Sequence, residues 1–135
     1  MITEIKLSRQ LTSELLHRAQ ISPAAEICGL ISSKNNEPFY CYPIENVTTE
    51  PKNQFLFDSK QHISALKKMR KNGEELFAIY HSHPTAPAYP SALDLEMATP
   101  ENVLHFIVSL NIKGILELRA FKIINQHATE IRITL

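Results

Sequence analysis

The sequence has no surplus of charge, few cysteines and no long apolar run, and each lack removes a class of function. Lysine plus arginine and aspartate plus glutamate stand at 14 each. That balance gives no electrostatic footing to a nucleic-acid binder or a polybasic membrane binder. The two cysteines, Cys28 and Cys41, have no CxxC spacing, and they fit a reduced protein better than a disulfide framework. No apolar stretch approaches the length that crosses a bilayer. Met1-Ile2-Thr3-Glu4-Ile5-Lys6 lacks the charged-then-apolar pattern of a leader. The expectation is a cytoplasmic protein with neither membrane nor nucleic acid as partner. With no repeat, low-complexity tract or linker, residues 1–135 read as a single domain, long enough for a core without disulfide or metal staples.

Taken in order, an imperfect alternation over 2–7 predicts an edge strand. Ser8 stands where an N-cap would, and Leu11, Leu15, Leu16 and Ala19 recur at helical spacing. An amphipathic helix over 9–20 follows, stopped by Ser22-Pro23. Glu26-Ile27-Cys28-Gly29-Leu30-Ile31 reads as a short central strand with one acid at its start. A turn at 34–38, a returning strand at 39–44, a loop at 46–52 and a short strand at 54–57 come next. Asp58 or Ser59 caps a second helix and Gly73 ends it. Ile63, Leu66 and Met69 form its apolar face, and Lys67, Lys68, Arg70 and Lys71 its solvated one. The runs 103–110, 115–124 and 129–135 predict closing strands, with a turn at 111–114. The whole reads as an α/β or α+β domain, a curved mixed sheet with two long helices and one short one.

The chemistry gathers in 80–94, Tyr-His-Ser-His-Pro-Thr-Ala-Pro-Ala-Tyr-Pro-Ser-Ala-Leu-Asp. The apolar run Leu76-Phe77-Ala78-Ile79-Tyr80 predicts a buried strand. Residues two apart on a strand share a face, so His81 and His83 project side by side before Pro84 ends it. A Pro-rich loop then delivers Ser91 and Asp94 at the start of a helix-like segment over 91–98. Two imidazole nitrogens and one carboxylate oxygen suit zinc with a fourth position left for water, and would also accept iron or cobalt.

Each piece has a plain alternative. His-x-His pairs arise by chance, and Ser91 with Asp94 is the S-x-x-D form of a capping box. Their conjunction at fixed offsets is improbable, on the order of one in a few thousand. A cap also holds a ligand rigid, so the two readings coexist. A zinc hydrolase further needs a group that takes a proton from water and passes it to the leaving amine. Glu26, at the mouth of an apolar strand, is the candidate, although its place also suits a strand's solvent end.

Together, Glu26-Ile27-Cys28-Gly29-Leu30, His81-Ser82-His83-Pro84, Ser91 and Asp94 resemble the JAMM motif of the MPN-domain metalloproteases at every motif spacing. The flanking runs Phe77-Ala78-Ile79-Tyr80 and Arg119-Ala120-Phe121 are similar to the compact prokaryotic members. The resemblance implies zinc held by His81, His83 and Asp94, with Glu26 as general base and acid and Ser91 helping to bind the oxyanion. It implies a cytidine-deaminase-like β-sheet wrapped between helices. It also implies a reaction, hydrolysis of the amide bond after the C-terminal Gly-Gly of a ubiquitin-like protein. In compact members that protein is a sulfur carrier, freed from an attached cysteine or a short extension. A tail without side chains can lie extended in a narrow groove and pair with a sheet edge. The strands expected after Asp94 leave little room for the second insertion of ubiquitin-chain-cleaving members, which favours a small carrier over polyubiquitin. One departure is Ser32-Ser33, where members often carry glycine; it bears on the turn type of the hairpin.

Other readings fit less well. A non-catalytic MPN scaffold would lack motif residues that are all present here. Nucleobase deaminases share the architecture but need His-x-Glu with Pro-Cys-x-x-Cys, and neither pattern occurs. A RadC-like protein carries a similar His-x-His-Pro block together with DNA-related features, which the neutral charge does not offer. Cys28, on the same strand face as Glu26, reads as a small core residue. His17, His62, His105 and His127 lack partner spacing and read as solvated or singly hydrogen-bonded. Tyr89 either touches substrate or covers the metal, and Tyr40, Tyr42, Phe55 and Phe57 read as strand packing. Whether the chain forms a homodimer is left open.

Overall fold

The computed structural model describes residues 3–98 and 102–135. In chain order the elements are β1 (Glu4–Lys6), α1 (Arg9–Gln20), β2 (Cys28–Lys34), β3 (Glu37–Ile44) and α2 (Ser59–Lys71). Then come β4 (Glu75–His83), α3 (Ala92–Met97), β5 (Leu104–Ser109), β6 (Glu117–Ile124) and β7 (His127–Thr134). The strands form one sheet in the order β1-β7-β6-β5-β4-β2-β3. β1–β7 and β4–β5 pair parallel and the other neighbours antiparallel. The mixed sheet with helices on its faces is the expected α+β fold. β1 is an edge strand as anticipated, and Ile2 of that expectation lies outside the described residues. Among the described residues no helix is long and apolar enough to cross a membrane.

Each long helix forms where its caps and apolar spacing place it. The Ser8 hydroxyl accepts the Leu11 N–H at 3.1 Å, satisfying a donor that the first turn of α1 leaves free. Leu11, Leu15 and Ala19 then line one side of α1 and pack on Ile31, Tyr80, Phe106 and Val108. Asp58 caps α2 by accepting the Gln61 N–H at 2.9 Å. Ala65 and Met69 of α2 meet Leu30, Tyr42 and Ile44. Alternation along β4 separates the two faces: Ala78 and Tyr80 belong to the α1 side, and Ile79 to the α2 side.

Three expectations need correction. Ile63 and Leu66 were placed on the buried face of α2, yet both are exposed. The small Ala65 faces the sheet instead, which rolls the larger aliphatics outward. The segment 54–57 is not a strand: among the described residues its ladder contact is a single bridge from Phe57 to Asn46. β2 begins at Cys28 and not at Glu26, so the acid lies just ahead of the strand. The β2–β3 hairpin turns on Asn35 and Asn36, at φ 54° and 65°, the pair of left-handed residues that a tight hairpin turn needs. Ser32 and Ser33 sit at a register shift within the ladder, so they shape a bulge and not the turn.

The parallel β4–β5 pair cannot be joined by a hairpin and needs a crossover. That crossover carries the Pro-rich loop and α3 over the face that His81 shares with Ile79, bringing Asp94 back above the end of β4. In sheets of this kind sites form where parallel strands end.

Gly29 lies opposite Tyr80 in the β2–β4 ladder. A Cβ there would overlap the Tyr42 carbonyl oxygen and come within 2.5 Å of the Tyr80 ring. The variant Gly29→Ala is expected to lose about 1–3 kcal/mol of stability through this overpacking, read from the denaturant midpoint. A midpoint equal to the parent's would show that the sheet absorbs the methyl group.

Candidate metal centre

β4 presents the His81 and His83 rings on one face, both buried. Their Nε2 atoms stand 3.1 Å apart, and Asp94 Oδ2 lies 3.0 Å from the first and 3.1 Å from the second. Asp94 comes from the first turn of α3, where it completes a capping box. The Ser91 hydroxyl accepts the Asp94 N–H at 3.0 Å, and Asp94 Oδ2 accepts the Ser91 N–H at 2.9 Å. The cap and the cluster are therefore one arrangement, and the helix start holds the carboxylate still. Burial alone would favour the neutral acid, but both imidazoles and the Ser91 amide outweigh it and hold the Asp94 carboxyl well below its usual range.

Hydrogen bonding decides what the imidazoles can offer. His83 Nδ1 lies 2.8 Å from the Pro87 carbonyl oxygen, a partner that can only accept. Nδ1 therefore carries a proton and Nε2 is the atom turned into the cluster. Burial lowers the pKa of His83, but Asp94, the Pro87 carbonyl and Glu26 outweigh it and leave it raised. Complete burial lowers the pKa of His81 against the opposing pull of Asp94. Nδ1 of His81 is buried without a partner among the described residues. Two imidazole nitrogens and a carboxylate oxygen converging at these distances are the donor set of a divalent transition metal. The residues present fit such an ion.

Glu26 is 4% exposed, and its Oε1 has no partner among the described residues. Burial, followed by His83 acting downward and Asp94 upward, raises its pKa to about 8. The backbone around it is held from β4: the Ile27 N–H donates to the Ser82 hydroxyl at 2.9 Å, and the Ser82 N–H donates to the Ile27 carbonyl at 3.1 Å. Ser82, between the two histidines, thus points to the opposite sheet face and ties the acid's segment to the strand that carries them.

Phe55 was read as strand packing, but its ring stacks on His81 with centroids 4.6 Å apart. His105 was read as solvated or singly hydrogen-bonded, but it is buried on β5. It lines a cleft of about 540 Å³ beside His81 and Asp94, with Phe55, Leu93 and Met97 among the walls. Neither residue has a local spacing that marks it, since one lies in an irregular loop and the other on the next strand. Cys28 behaves as the expected core residue: its thiol donates to the Ile44 carbonyl, and burial pushes its pKa to about 12. Tyr89 packs edge-on against Phe121 with its ring half outside.

Comparison with known proteins agrees with this geometry. The family described as prokaryotic homologs of the JAB domain matches residues 8–124. The desampylase of Haloferax volcanii is 30% identical over 89 residues, 64% of this chain and 64% of that protein. The chain thus spans just under two thirds of that relative's length. The CysO-cysteine peptidase of Mycobacterium tuberculosis is 27% identical over 122 residues, covering 89% of this chain and 83% of the relative. A Desulfitobacterium hafniense protein solved in solution superposes with a TM-score of 0.85 at 30% identity, over 97% of this chain and 92% of that one.

Two outcomes follow from the packing around the cluster. Ser82→Ala leaves the partly buried Ile27 N–H without its acceptor, and is expected to cost about 1 kcal/mol in denaturant unfolding; an unchanged midpoint would mean the amide finds another partner. His105 concerns pH. Burial, then the neighbouring His81, lowers its pKa from 6.5 to about 4. Between these values the unfolded chain takes up a proton that the folded one refuses, so stability falls as pH drops from 6.5 toward 4. In chelator-treated protein, His105→Gln should lose less stability than the parent across that window. Equal losses would show that His105 does not contribute.

Proposed function

The chain belongs to the family of prokaryotic homologs of the JAB domain and is a JAMM-type metallopeptidase; on that premise we propose that it hydrolyses the amide bond following the C-terminal Gly-Gly of a ubiquitin-like sulfur-carrier protein. The observation that carries the reading is the convergence of His81 Nε2, His83 Nε2 and Asp94 Oδ2. Those three residues would hold zinc. When bound, zinc supplies a Lewis acid that acidifies water and polarises the scissile carbonyl.

The remaining steps belong to the protein's own side chains. Glu26 takes a proton from the attacking water and later hands it to the leaving amine. Burial has made it a stronger base than a solvated carboxylate, near the range in which a group can do both. The Ser91 hydroxyl spends a lone pair on the Asp94 N–H, so its hydrogen remains available to donate to the oxyanion that develops on the carbonyl. Pro87 fixes the tautomer of His83 through its carbonyl. A Gly-Gly tail brings no side chain that would have to be fitted beside these groups, and its backbone can approach closely.

Both curated relatives support this substrate class by their names, one a desampylase and one a peptidase acting on a CysO–cysteine bond. Behind Asp94 the described chain is taken up by α3, β5, β6, β7 and short connections, which supports a small carrier over polyubiquitin. Cys28 and Cys41 are free and buried, which supports a cytoplasmic setting. The strands of the described residues share one sheet, which supports their acting as one domain.

The test pairs two measurements on the purified chain: metal content, and cleavage of a ubiquitin-like sulfur carrier extended past Gly-Gly, with and without chelator. One zinc per chain with chelator-sensitive release of the Gly-Gly end is the expected result. Absence of both metal and cleavage would overturn the reading in favour of a scaffold. Glu26→Gln is expected to keep its zinc and lose at least about a hundredfold in kcat, because the ligands stay while the proton carrier goes. Turnover at the parent's rate by that variant would remove Glu26 from the mechanism.

A further inference from the structure

Asn46 lies in the loop after β3 and belongs to none of the motif positions. Its carboxamide nevertheless makes four hydrogen bonds. Nδ2 donates to the Glu26 carbonyl and to the Gln54 carbonyl, each at 3.0 Å. Oδ1 accepts the Leu56 N–H at 2.9 Å and the Thr48 N–H at 3.2 Å. A carboxamide has two donor hydrogens and two acceptor lone pairs, so the group is fully used. What it joins is specific. On one side is the backbone of Glu26, whose amide also donates to the Pro51 carbonyl in the same loop. On the other side are the residues immediately before and after Phe55, the ring that stacks on His81.

We infer that Asn46 is a positioning residue that fixes Glu26 and Phe55 relative to the His81–His83–Asp94 cluster, an inference that for its catalytic consequence rests on the peptidase reading above. The segment 48–56 has no strand ladder of its own. Scattered backbone bonds such as Val47 N–H to the Leu56 carbonyl hold it, and the Asn46 carboxamide adds the four that join it to Glu26 and flank Phe55. Through one planar group, the loop that places an aromatic ring over a ligand is tied to the residue that carries the acid. Shifts of about 1 Å in such a constellation cost on the order of a hundredfold in rate. Loss of residues that orient ligands costs about 10–100-fold.

The test uses the zinc-loaded full chain and two readouts besides activity. In Asn46→Ala the His81 ring-proton resonances, displaced by the stacked Phe55, should move toward their positions in Phe55→Ala. The amides of Thr48 and Leu56 lose their acceptor and should exchange about tenfold faster, the equivalent of one hydrogen bond each. The Glu26 amide keeps the Pro51 carbonyl but should also exchange faster as its segment loosens, while Phe106 and Ile107 in β5 stay protected and zinc stays at one per chain. On a carrier that the parent cleaves, kcat should fall about 10–100-fold with KM unchanged. If Asn46→Ala does not fold, Asn46→Asp decides. It keeps the acceptor for Thr48 and Leu56 and loses both donors, those to the Glu26 and Gln54 carbonyls. The segment of Glu26 then loosens and its amide, still paired with Pro51, should exchange faster while the Leu56 amide stays in place. Unchanged His81 resonances and Glu26 exchange in Asn46→Ala, an unchanged Glu26 amide in Asn46→Asp, or an unchanged kcat would each overturn the inference. A parent that cleaves no carrier would count against the peptidase reading alone, since the resonance and exchange readouts still decide the positioning role.

Discussion

Three atoms that each bring a lone pair, His81 Nε2, His83 Nε2 and Asp94 Oδ2, stand 3.0 to 3.1 Å apart, and keeping them there is the constraint on which the site depends. Such atoms gain nothing from one another's company without a cation or a shared proton between them. Their convergence has to be imposed from outside the cluster. β4 imposes it on the histidines by strand alternation, the capping box of α3 on the aspartate, and the Pro87 carbonyl on the tautomer of His83. Each device acts through the backbone, which is why the arrangement is rigid.

The same alternation makes β4 serve two purposes. Its one face gives Ala78 and Tyr80 to the core beneath α1, and its other face gives Ile79, His81 and His83 to the site. Ser82 belongs to the core face, yet it anchors Ile27 and so sets where Glu26 stands. The acid itself is isolated: buried, with one carboxylate oxygen unpartnered among the described residues, and made basic by that burial. An unpartnered buried oxygen is costly to the fold, and such cost is characteristic of groups kept for chemistry.

Much of the site was legible because strand and cap geometry turn short spacings into shared directions. His-x-His on an apolar run has one outcome, and so does Ser-x-x-Asp ahead of a helical turn. Glu26 was legible only through its company with those residues, since a lone acid before a strand has two readings. Phe55, His105 and Asn46 left no trace: the first two meet His81 from far away in sequence, and Asn46 gathers Glu26 and an irregular loop that no local pattern marks. The roll of α2 was misread for a related reason. Ile63 and Leu66 satisfy helical periodicity as well as Met69 does, and only the closeness of the sheet selects Ala65 for the inner face.

The sequence by itself determined the helices, most strands and the types of the candidate ligands, because caps, periodicity and alternation act over a few residues. The tertiary structure alone decided which of them meet. The parallel crossover from β4 to β5 returns Asp94 to the histidines, the β2–β4 ladder brings Glu26 to the same place, and the loop after β3 lays Phe55 on His81. Those contacts depend on strand order and register, which are settled by burying the whole sheet at once and not by any local pattern.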